Sequence, residues 1–181
     1  MTRSDPRIAR TRDALRAALV ALVSEKPFEA VTVQDIAARA AVGYATFFRH
    51  YPSREALLTD IADGLIGELH TLIAPLMRTS DTAAAARALT DYIEDHRALC
   101  KGLLVGANDA MRRDITRRAI AVVSVADAQV PMWLPHALGI IHSVGATLTI
   151  LGWWLEHDPE RNADDVAQFI DRLVFAPLAA P

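Results

Sequence analysis

Side chains that can form hydrogen bonds, ion pairs and ring contacts are concentrated in the short segment 44–50. Hydroxyl, aromatic, cationic and imidazole side chains follow one another there, and such groups suit the base edges and phosphates of duplex DNA. The outward-facing members are expected to be Tyr44, Ala45, Thr46, Phe48, Arg49 and His50. The stretch therefore predicts a DNA-reading surface.

Two short helices would position these side chains. Thr32 is a suitable N-cap for the first helix, with Asp35 three residues later and apolar residues continuing to Ala40. A break at 41–43 precedes a second helix over 44–51, which Pro52 ends. Two helices joined by a tight turn form a helix-turn-helix, whose second helix enters the DNA major groove. Gly43 removes side-chain bulk at the start of that helix.

The remaining sequence also has a helical period, and it has no segment that alternates apolar and polar residues for long enough to predict a strand. Further helices are expected at about 7–24, 53–75, 82–104, 108–127, 133–157 and 163–175. The predicted fold class is therefore all-α. A three-helix DNA-binding domain would occupy 1–53, and a helical ligand-binding and dimerisation domain 54–181, with helix 54–78 as connector.

The charge distribution favours the same division. The 181-residue chain has a formal net charge of −3, but residues 1–54 hold nine Lys and Arg against five acidic residues. The remaining 127 residues hold ten basic residues against seventeen acidic ones. A basic head on an acidic body favours a polyanionic partner for the head. The alternative is that these charges only decorate solvated faces.

Two segments imitate targeting or membrane signals. The basic start is followed by apolar residues, but Asp5 and Asp13 interrupt it, so we expect no signal peptide. The run 137–155 carries no formal charge. Its length of nineteen residues is enough to span a membrane. It has no basic loop beside it to set topology, so a buried helix of a soluble protein is expected. The single cysteine, Cys100, excludes an intramolecular disulfide and favours the reducing cytoplasm.

The stretch from Thr11 to Ile61 resembles the DNA-binding domain of the TetR/AcrR repressor family. The resemblance is carried by residues 32–58, TVQDIAARAAVGYATFFRHYPSREALL. A second similarity, to one C-terminal branch of the family, lies in HRALCKGLL, MRRD and GWWLEH at 96–104, 111–114 and 152–157. The resemblance implies a homodimer that places one reading helix in each major groove of a palindromic operator.

The resemblance also implies roles for individual residues. Base contacts would come from Gln34, Tyr44, Ala45 and Thr46, and phosphate contacts from Thr46, Phe48, His50 and Arg54, with Arg49 and Tyr51 nearby. Thr32 and Gly43 complete the set of candidate DNA-binding residues. Gly43 departs from a frequent Ser, and Phe48 departs from a usual Tyr and so lacks a phosphate-bonding hydroxyl. Arg54 has the alternative of pairing with Glu55 or Asp60.

The uncharged run 137–155 and the final helix predict a dimer interface. A helix that is apolar all round must be covered all round, and a second subunit would supply the missing cover. The candidate interface residues are Leu138, Ile141, Gly145, Leu148, Gly152, Phe169 and Leu173. The alternative is that the glycines relieve crowding inside one subunit.

An effector pocket is expected among the middle helices, because small-molecule sites combine apolar walls with few polar anchors. The candidate lining residues are Tyr92, His96, Cys100, Leu104, Met111, Ile115 and His142. For each of them ordinary core packing is the alternative, with His142 as a hydrogen-bonded core histidine and Cys100 as inert filler.

Motifs of enzymes and metal sites are absent from the sequence: it has no H-E-x-x-H, no G-x-S-x-G and no phosphate-cradling glycine loop. We therefore expect no enzyme, no cofactor, no metal and no membrane partner. The predicted function is a ligand-responsive transcriptional regulator, a repressor that a small hydrophobic or amphipathic effector releases from DNA. The alternative is a helical small-molecule or protein-binding module whose DNA binding is weak or lost.

Overall fold

A computed structural model describes residues 6–105, 109–125 and 133–179, without the side chains of residues 110, 111, 124 and 125. All regular secondary structure in these ranges is helical. The prediction of an all-α fold, with a helix-turn-helix followed by a helical C-terminal domain, is confirmed.

The chain divides into two compact units, one ending at Ala62 and the other beginning at Asp63. The helices of the first unit are α1 (Pro6–Glu25), α2 (Val33–Arg39), α3 (Tyr44–His50) and the start of α4 (Arg54–Arg78), with a 3₁₀ turn at Phe28–Ala30. The boundary therefore lies inside α4 and not at residue 53, where the sequence placed it. The reason is that Leu57, Leu58 and Ile61 of α4 are buried within the first unit.

The core of the first unit joins α1 to the two short helices. Leu15 and Leu19 of α1 are fully buried, and so are Ile36 of α2 and Phe47 of α3. Tyr51, directly after α3, is only 3% exposed. Phe47 and Tyr51 therefore anchor the core of this unit, and burial of such rings contributes about 1.5–3 kcal/mol each.

The helices of the second unit are the rest of α4, then α5 (Thr82–Asp95), α6 (Arg97–Leu104), α7 (Asp109–Val125), α8 (His136–His157), α9 (Ala163–Ile170) and α10 (Ala176–Ala179). The single helix predicted at 82–104 is wrong, because His96 leaves the helical conformation and separates α5 from α6. The helix predicted at 163–175 is an α-helix only as far as Ile170 and continues as a π-helical turn over Asp171–Phe175. Near the end of α4, Pro75 does not stop the helix, which continues to Arg78.

Trp154 is the centre of the second core. It is fully buried with Leu155, Val166 and Ile170, and its indole Nε1 donates to the carbonyl of Arg161 at 2.9 Å. The hydrogen bond satisfies the polar atom of an otherwise apolar cluster, as buried indoles require. α8 thus has one face inside the unit, which fixes its rotation about its own axis.

α8 is also the one described helix that is long and apolar enough to cross a membrane by length and composition. Core helices of soluble proteins satisfy the same test. In this single chain 28% of its most apolar window is buried. The expected burial on all sides is therefore not reached within one copy of the chain.

Candidate nucleic-acid interface

The start of α2 is fixed by a reciprocal cap. Thr32 Oγ1 accepts from the backbone N–H of Asp35 at 3.1 Å, and Asp35 Oδ2 accepts from the N–H of Thr32 at 2.9 Å. Lys26 Nζ donates to the same carboxylate at 2.7 Å. Hydrogen bonds from Lys26 and Thr32 hold the pKa of Asp35 well below its usual range. Thr32, a candidate for DNA contact, therefore also caps α2, while Gln34 beside it is exposed.

The turn between α2 and α3 is closed by two backbone hydrogen bonds. Val42 N donates to Ala37 O at 3.0 Å and Ala41 N donates to Ala38 O at 3.1 Å, the pattern of a Schellman motif. Ala41 occupies the left-handed position with φ 53°. Glycine is the usual residue there, and a side chain costs about 1 kcal/mol. The two closing hydrogen bonds hold this conformation and set where α3 begins.

Gly43 begins α3 without a side-chain cap. Its carbonyl still accepts from the N–H groups of Thr46 at 2.8 Å and Phe47 at 3.2 Å, so the helix starts from backbone bonds alone. A Cβ at this position would lie 3.6 Å from Thr46 Oγ1, an ordinary contact. The departure from Ser at this position therefore changes the cap and leaves the helix in place.

The outward surface of α3 consists of two rings, a methyl group and an arginine. Tyr44 is 53% exposed and Phe48 is 45% exposed, and their ring centroids lie 5.1 Å apart in an edge-to-face arrangement. Ala45 and Arg49 are exposed as well. Arg49 Nη2 donates to Thr46 Oγ1 at 3.0 Å. The structure thus places Tyr44, Ala45, Phe48 and Arg49, which are all candidates for DNA contact, on the exposed side of α3.

Arg54 has a different place from the one expected. Its Nη1 donates to the carbonyls of Phe28, Glu29 and Val31, and its Nε donates to Glu55 at 2.8 Å. Its guanidinium also lies over the Phe28 ring, 4.8 Å from the centroid. This guanidinium ties the loop before α2 to the start of α4, a structural role that the sequence did not predict, and the expected phosphate contact stays a prediction. The predicted alternative of pairing with Glu55 is present.

A partly buried polar cluster, which was not predicted from the sequence, fixes the end of α3. Asp60 Oδ2 accepts from Arg16 Nε at 2.8 Å and from the Tyr51 hydroxyl at 2.5 Å. Arg12 Nε donates to the Tyr51 hydroxyl at 3.1 Å. Burial alone would raise the pKa of Asp60, but the hydrogen bonds from Arg16 and Tyr51 outweigh it and leave this pKa below its usual value. The only signal in the sequence was the spacing of four between Arg12 and Arg16, which places both on one face of α1.

His50 ends α3 and is half-buried, so its ring presents only part of its surface outward. Together with Arg49 it makes the last turn of α3 basic, which complements the negative end of the helix dipole. Arg49 and His50 therefore lie at the end of α3 opposite to Tyr44.

The candidate effector residues in the second unit are only partly brought together. The rings of Tyr92 and His96 stack with centroids 4.2 Å apart, and the Tyr92 hydroxyl donates to Glu68 Oε2 at 2.6 Å. Burial and Glu68 raise the pKa of Tyr92, so its hydroxyl stays a donor. Burial also raises the pKa of the Cys100 thiol to about 12, which fits an inert packing residue. Glu68 was missed by the sequence reading.

The other effector candidates have different positions. Leu104 is half-buried and Ile115 is buried. His142 is exposed on α8 beside the exposed Ile141, so the expected buried histidine is wrong. The side chain of Met111 lies outside the described residues. In the part of the chain that the structure describes, no group of His, Cys, Asp or Glu could hold a metal ion.

The dimer candidates of α8 recur at spacings of three and four residues, which places them on one side of that helix. Leu138, Ile141 and Leu173 are 52%, 53% and 64% exposed. An added Cβ at Gly145 or Gly152 would meet nothing within 4 Å, so these glycines do not relieve crowding inside the unit. Leu148 and Phe169 are half-buried. Trp153, which the sequence reading left out, is 40% exposed beside Phe169.

A helix-turn-helix with an outward second helix, followed by an all-helical unit, defines the class of helix-turn-helix transcriptional regulators. Residues 15–61 match the tetR family of bacterial regulatory proteins. The matched segment includes α2, α3 and the start of α4, so the helix-turn-helix of this chain is similar to that of the tetR family.

Individual proteins are also similar to this chain in sequence or in fold. An HTH-type transcriptional regulator of Bacillus subtilis is 32% identical over 88 residues, which are 47% of this chain and 23% of that protein. The match thus spans about a quarter of that relative. A TetR regulator from Streptococcus agalactiae shares the fold with a TM-score of 0.65 at 21% identity, over 93% of this chain and 96% of that one. FadR of Thermus thermophilus, solved with lauroyl-CoA, has a TM-score of 0.62 at 18% identity, over 90% and 92%.

Proposed function

We propose that this protein is a cytoplasmic repressor that binds palindromic operator DNA as a homodimer and is released by a small hydrophobic or amphipathic effector. The observation that carries the proposal is the outward surface of α3, where Tyr44, Ala45 and Arg49 are exposed while Phe47 is fully buried. A helix anchored by one ring and exposed along its opposite side fits the second helix of a helix-turn-helix in the major groove.

The arrangement of charge in the first unit supports DNA as its ligand. Lys26 and Arg39 are engaged by Asp35 and Glu25, so they neutralise charges inside the unit. Arg49 is held only by the neutral hydroxyl of Thr46 among its described bonds, and its charge remains available to a phosphate. Phosphate contacts of this kind make binding depend on salt, since each one releases counterions.

The exposed apolar surface of α8 and the π-helical turn supports the homodimer. Leu138 and Ile141 lie one turn apart on α8 and are more than half exposed, as is Leu173 of the π-helical turn. Exposed apolar residues that form a contiguous patch mark an interaction site. Gly145 and Gly152 leave open space in which a helix of a second copy can approach closely. Two-fold pairing buries the same surface on both copies, which suits a palindromic operator.

The mixed polarity of the Tyr92 region supports an amphipathic effector. Tyr92, His96 and Glu68 supply polar groups next to the buried Cys100 and Ile93. FadR of Thermus thermophilus was solved with lauroyl-CoA, an amphipathic thioester. An effector releases DNA only if it prefers the low-affinity state, and a coupling of about 1–3 kcal/mol is typical.

The test is DNA selection followed by quantitative binding. The full chain is used to enrich duplexes from a randomised library, and the enriched duplex is titrated by fluorescence anisotropy. The proposal expects an inverted repeat, two chains bound per duplex, and a lower affinity when lauroyl-CoA or a molecule extracted from the purified protein is added. A chain that enriches no duplex would instead be the helical binding module without DNA binding.

A further inference from the structure

The outer surface of α3 is apolar at three positions that face the same way. Tyr44, Ala45 and Phe48 are all exposed, and the spacing of four between Tyr44 and Phe48 places both rings on one face of the helix. The rings contact each other edge to face, 5.1 Å apart. Phe48 in turn packs edge to face on the buried Phe47, with centroids 5.3 Å apart. The exposed rings are therefore held in place by the core.

The hydrogen-bonding groups of α3 lie elsewhere on the helix. Arg49 donates to Thr46 Oγ1 at 3.0 Å, so the cation and the hydroxyl occupy each other. The phenyl ring of Phe48 has no polar atom. Between Tyr44 and Phe48 the helix presents carbon, with the Tyr44 hydroxyl at the ring tip as its polar atom.

Duplex DNA offers few apolar partners to such a surface. On the base edges of the major groove, adenine, guanine and cytosine present donors and acceptors, whereas thymine also presents its C5-methyl group. Exposed rings gain free energy by removing apolar surface from water, and the thymine methyl is the group in the groove that allows it. The separation of 5.1 Å between the two rings covers one to two base-pair steps of about 3.4 Å.

We infer that the Tyr44–Ala45–Phe48 surface selects its DNA sequence by contacting thymine C5-methyl groups. Phe48, which lacks the hydroxyl needed for a phosphate hydrogen bond, acts as a specificity residue that holds the Tyr44 ring and covers a methyl. The inference rests on the proposed function, because it needs α3 to enter a major groove.

The test replaces thymine by 2′-deoxyuridine, which pairs in the same way and lacks only the methyl. The duplex enriched from the randomised library is synthesised in both forms, and binding of the full chain to each form is measured by fluorescence anisotropy at several salt concentrations. Loss of one buried methyl corresponds to about a fourfold loss of affinity. One contacted thymine in each half-site therefore predicts a loss of about fifteenfold. The ratio between the two forms should not change with salt, because the contact is uncharged.

Variants of the exposed rings locate the contact. In Tyr44→Ala/Phe48→Ala the thymine-to-deoxyuridine ratio is expected to fall below twofold. Phe48→Tyr keeps the ring and should retain the ratio. Arg49→Ala should weaken binding to both forms while keeping the ratio, since it removes a charge and no ring. Because the substituted side chains are exposed, helical circular dichroism should stay at the wild-type value in each variant.

The outcomes separate this inference from the proposed function. A wild-type chain that binds the selected duplex but binds both forms equally overturns the thymine inference and leaves the DNA-binding regulator intact. A ratio that persists in Tyr44→Ala/Phe48→Ala overturns the assignment to these rings. A chain that enriches no duplex overturns both the proposed function and the inference.

Discussion

The two units of the chain differ in how completely their polar atoms are hydrogen-bonded and their apolar side chains are buried. In the first unit Asp60 accepts hydrogen bonds from Arg12 Nη2, Arg16 Nε and the Tyr51 hydroxyl. Thr32 and Asp35 cap the start of α2 reciprocally, so these polar side chains stabilise the fold of the unit itself. In the second unit His70 Nε2, Thr147 Oγ1 and Asp171 Oδ1 are buried without a hydrogen-bond partner. Its surface also carries exposed apolar residues such as Leu173.

This difference fits the roles that we propose for the two units. Recognition of DNA requires side chains held in fixed positions, so a small unit benefits from internal ion pairs that position α3. A unit that takes up a ligand and a second copy has surfaces and polar atoms that become covered only on binding. Unsatisfied buried atoms are uncommon in native structures and mark places that call for an explanation. Five predictions test this difference between the two units.

The largest effect is expected from a charge on the apolar surface of the second unit. Leu173→Arg would place a cation where we propose that the second copy packs, and dimer affinity should fall more than about a hundredfold, because burying an unpaired charge costs several kcal/mol. Sedimentation velocity at several concentrations measures the change. Leu72→Arg, at a leucine of α4 that is 44% exposed, is the matched control and should leave the dimer intact. Equal dissociation by both variants would argue against the interface.

The next largest effect is expected at Asp60. Asp60→Asn should lower the free energy of unfolding by about 1–3 kcal/mol, because it weakens charge-assisted hydrogen bonds to Arg16 and Arg12. Chemical denaturation followed by circular dichroism gives the value. Asp13→Asn is the control, since that carboxylate is 70% exposed and lies 3.5 Å from Arg16, and it should change the free energy by less than about 0.5 kcal/mol.

The same carboxylate predicts a pH dependence. The pKa of Asp60 is lower in the folded chain than in the unfolded chain, where it is about 3.9. Its contribution is therefore complete above that value and is lost as the pH falls through the folded pKa. The stability difference between wild type and Asp60→Asn should be constant from pH 5 to pH 8 and shrink below about pH 4. A difference that stays constant into this acid range would contradict the cluster.

A smaller effect separates two arginines of the first unit. Arg54→Ala should reduce the free energy of unfolding by about 1–2 kcal/mol, because three carbonyls lose their donor. Arg49→Ala should change stability by less than about 0.5 kcal/mol but reduce the salt slope of DNA binding by about 1. Denaturation and anisotropy titrations on both variants provide the comparison. The reverse pattern would return Arg54 to the phosphate contact expected from the sequence.

The smallest effect is expected from removing the buried hydroxyl of either of two threonines in the second unit. Thr147 Oγ1 has no partner, whereas Thr90 Oγ1 donates to the carbonyl of Arg87 at 3.0 Å. Thr147→Val should therefore raise the free energy of unfolding by up to about 1 kcal/mol, and Thr90→Val should lower it by about 0.5–1.5 kcal/mol. Thermal denaturation of the two variants shows the contrast. If Thr147→Val is as destabilising as Thr90→Val, the hydroxyl of Thr147 has a partner after all.

Much of the fold was predictable because it follows from local signals. The apolar period gave the helices, and Thr32 with Asp35 marked the start of α2. The break at His96 and the π-helical turn at Asp171 were not predictable, because packing between α5, α6, α8 and α9 overrides a sequence that is helical throughout.

The candidate site was predictable to a similar degree. Exposure of Tyr44, Ala45 and Phe48 beside the buried Phe47 followed from helix geometry. The role of Arg54 did not, because its carbonyl partners lie 23 to 26 residues earlier in the chain. The Asp60 cluster was missed for the same reason, since Arg12 and Arg16 are more than 40 residues away from it. Contacts between residues far apart in the chain leave no periodic pattern in the sequence from which they could be predicted.

The measurement that tests the central claim most directly is the salt dependence of binding to the selected palindrome, with a scrambled duplex in parallel. If α3 reads DNA, two chains should bind each palindrome with an affinity at least a hundredfold above that for the scrambled duplex, and the logarithmic salt slope should become about 1 less steep in Arg49→Ala. Equal affinities for the two duplexes, or a slope that Arg49→Ala leaves unchanged, would contradict the assignment of α3 as the DNA-reading helix.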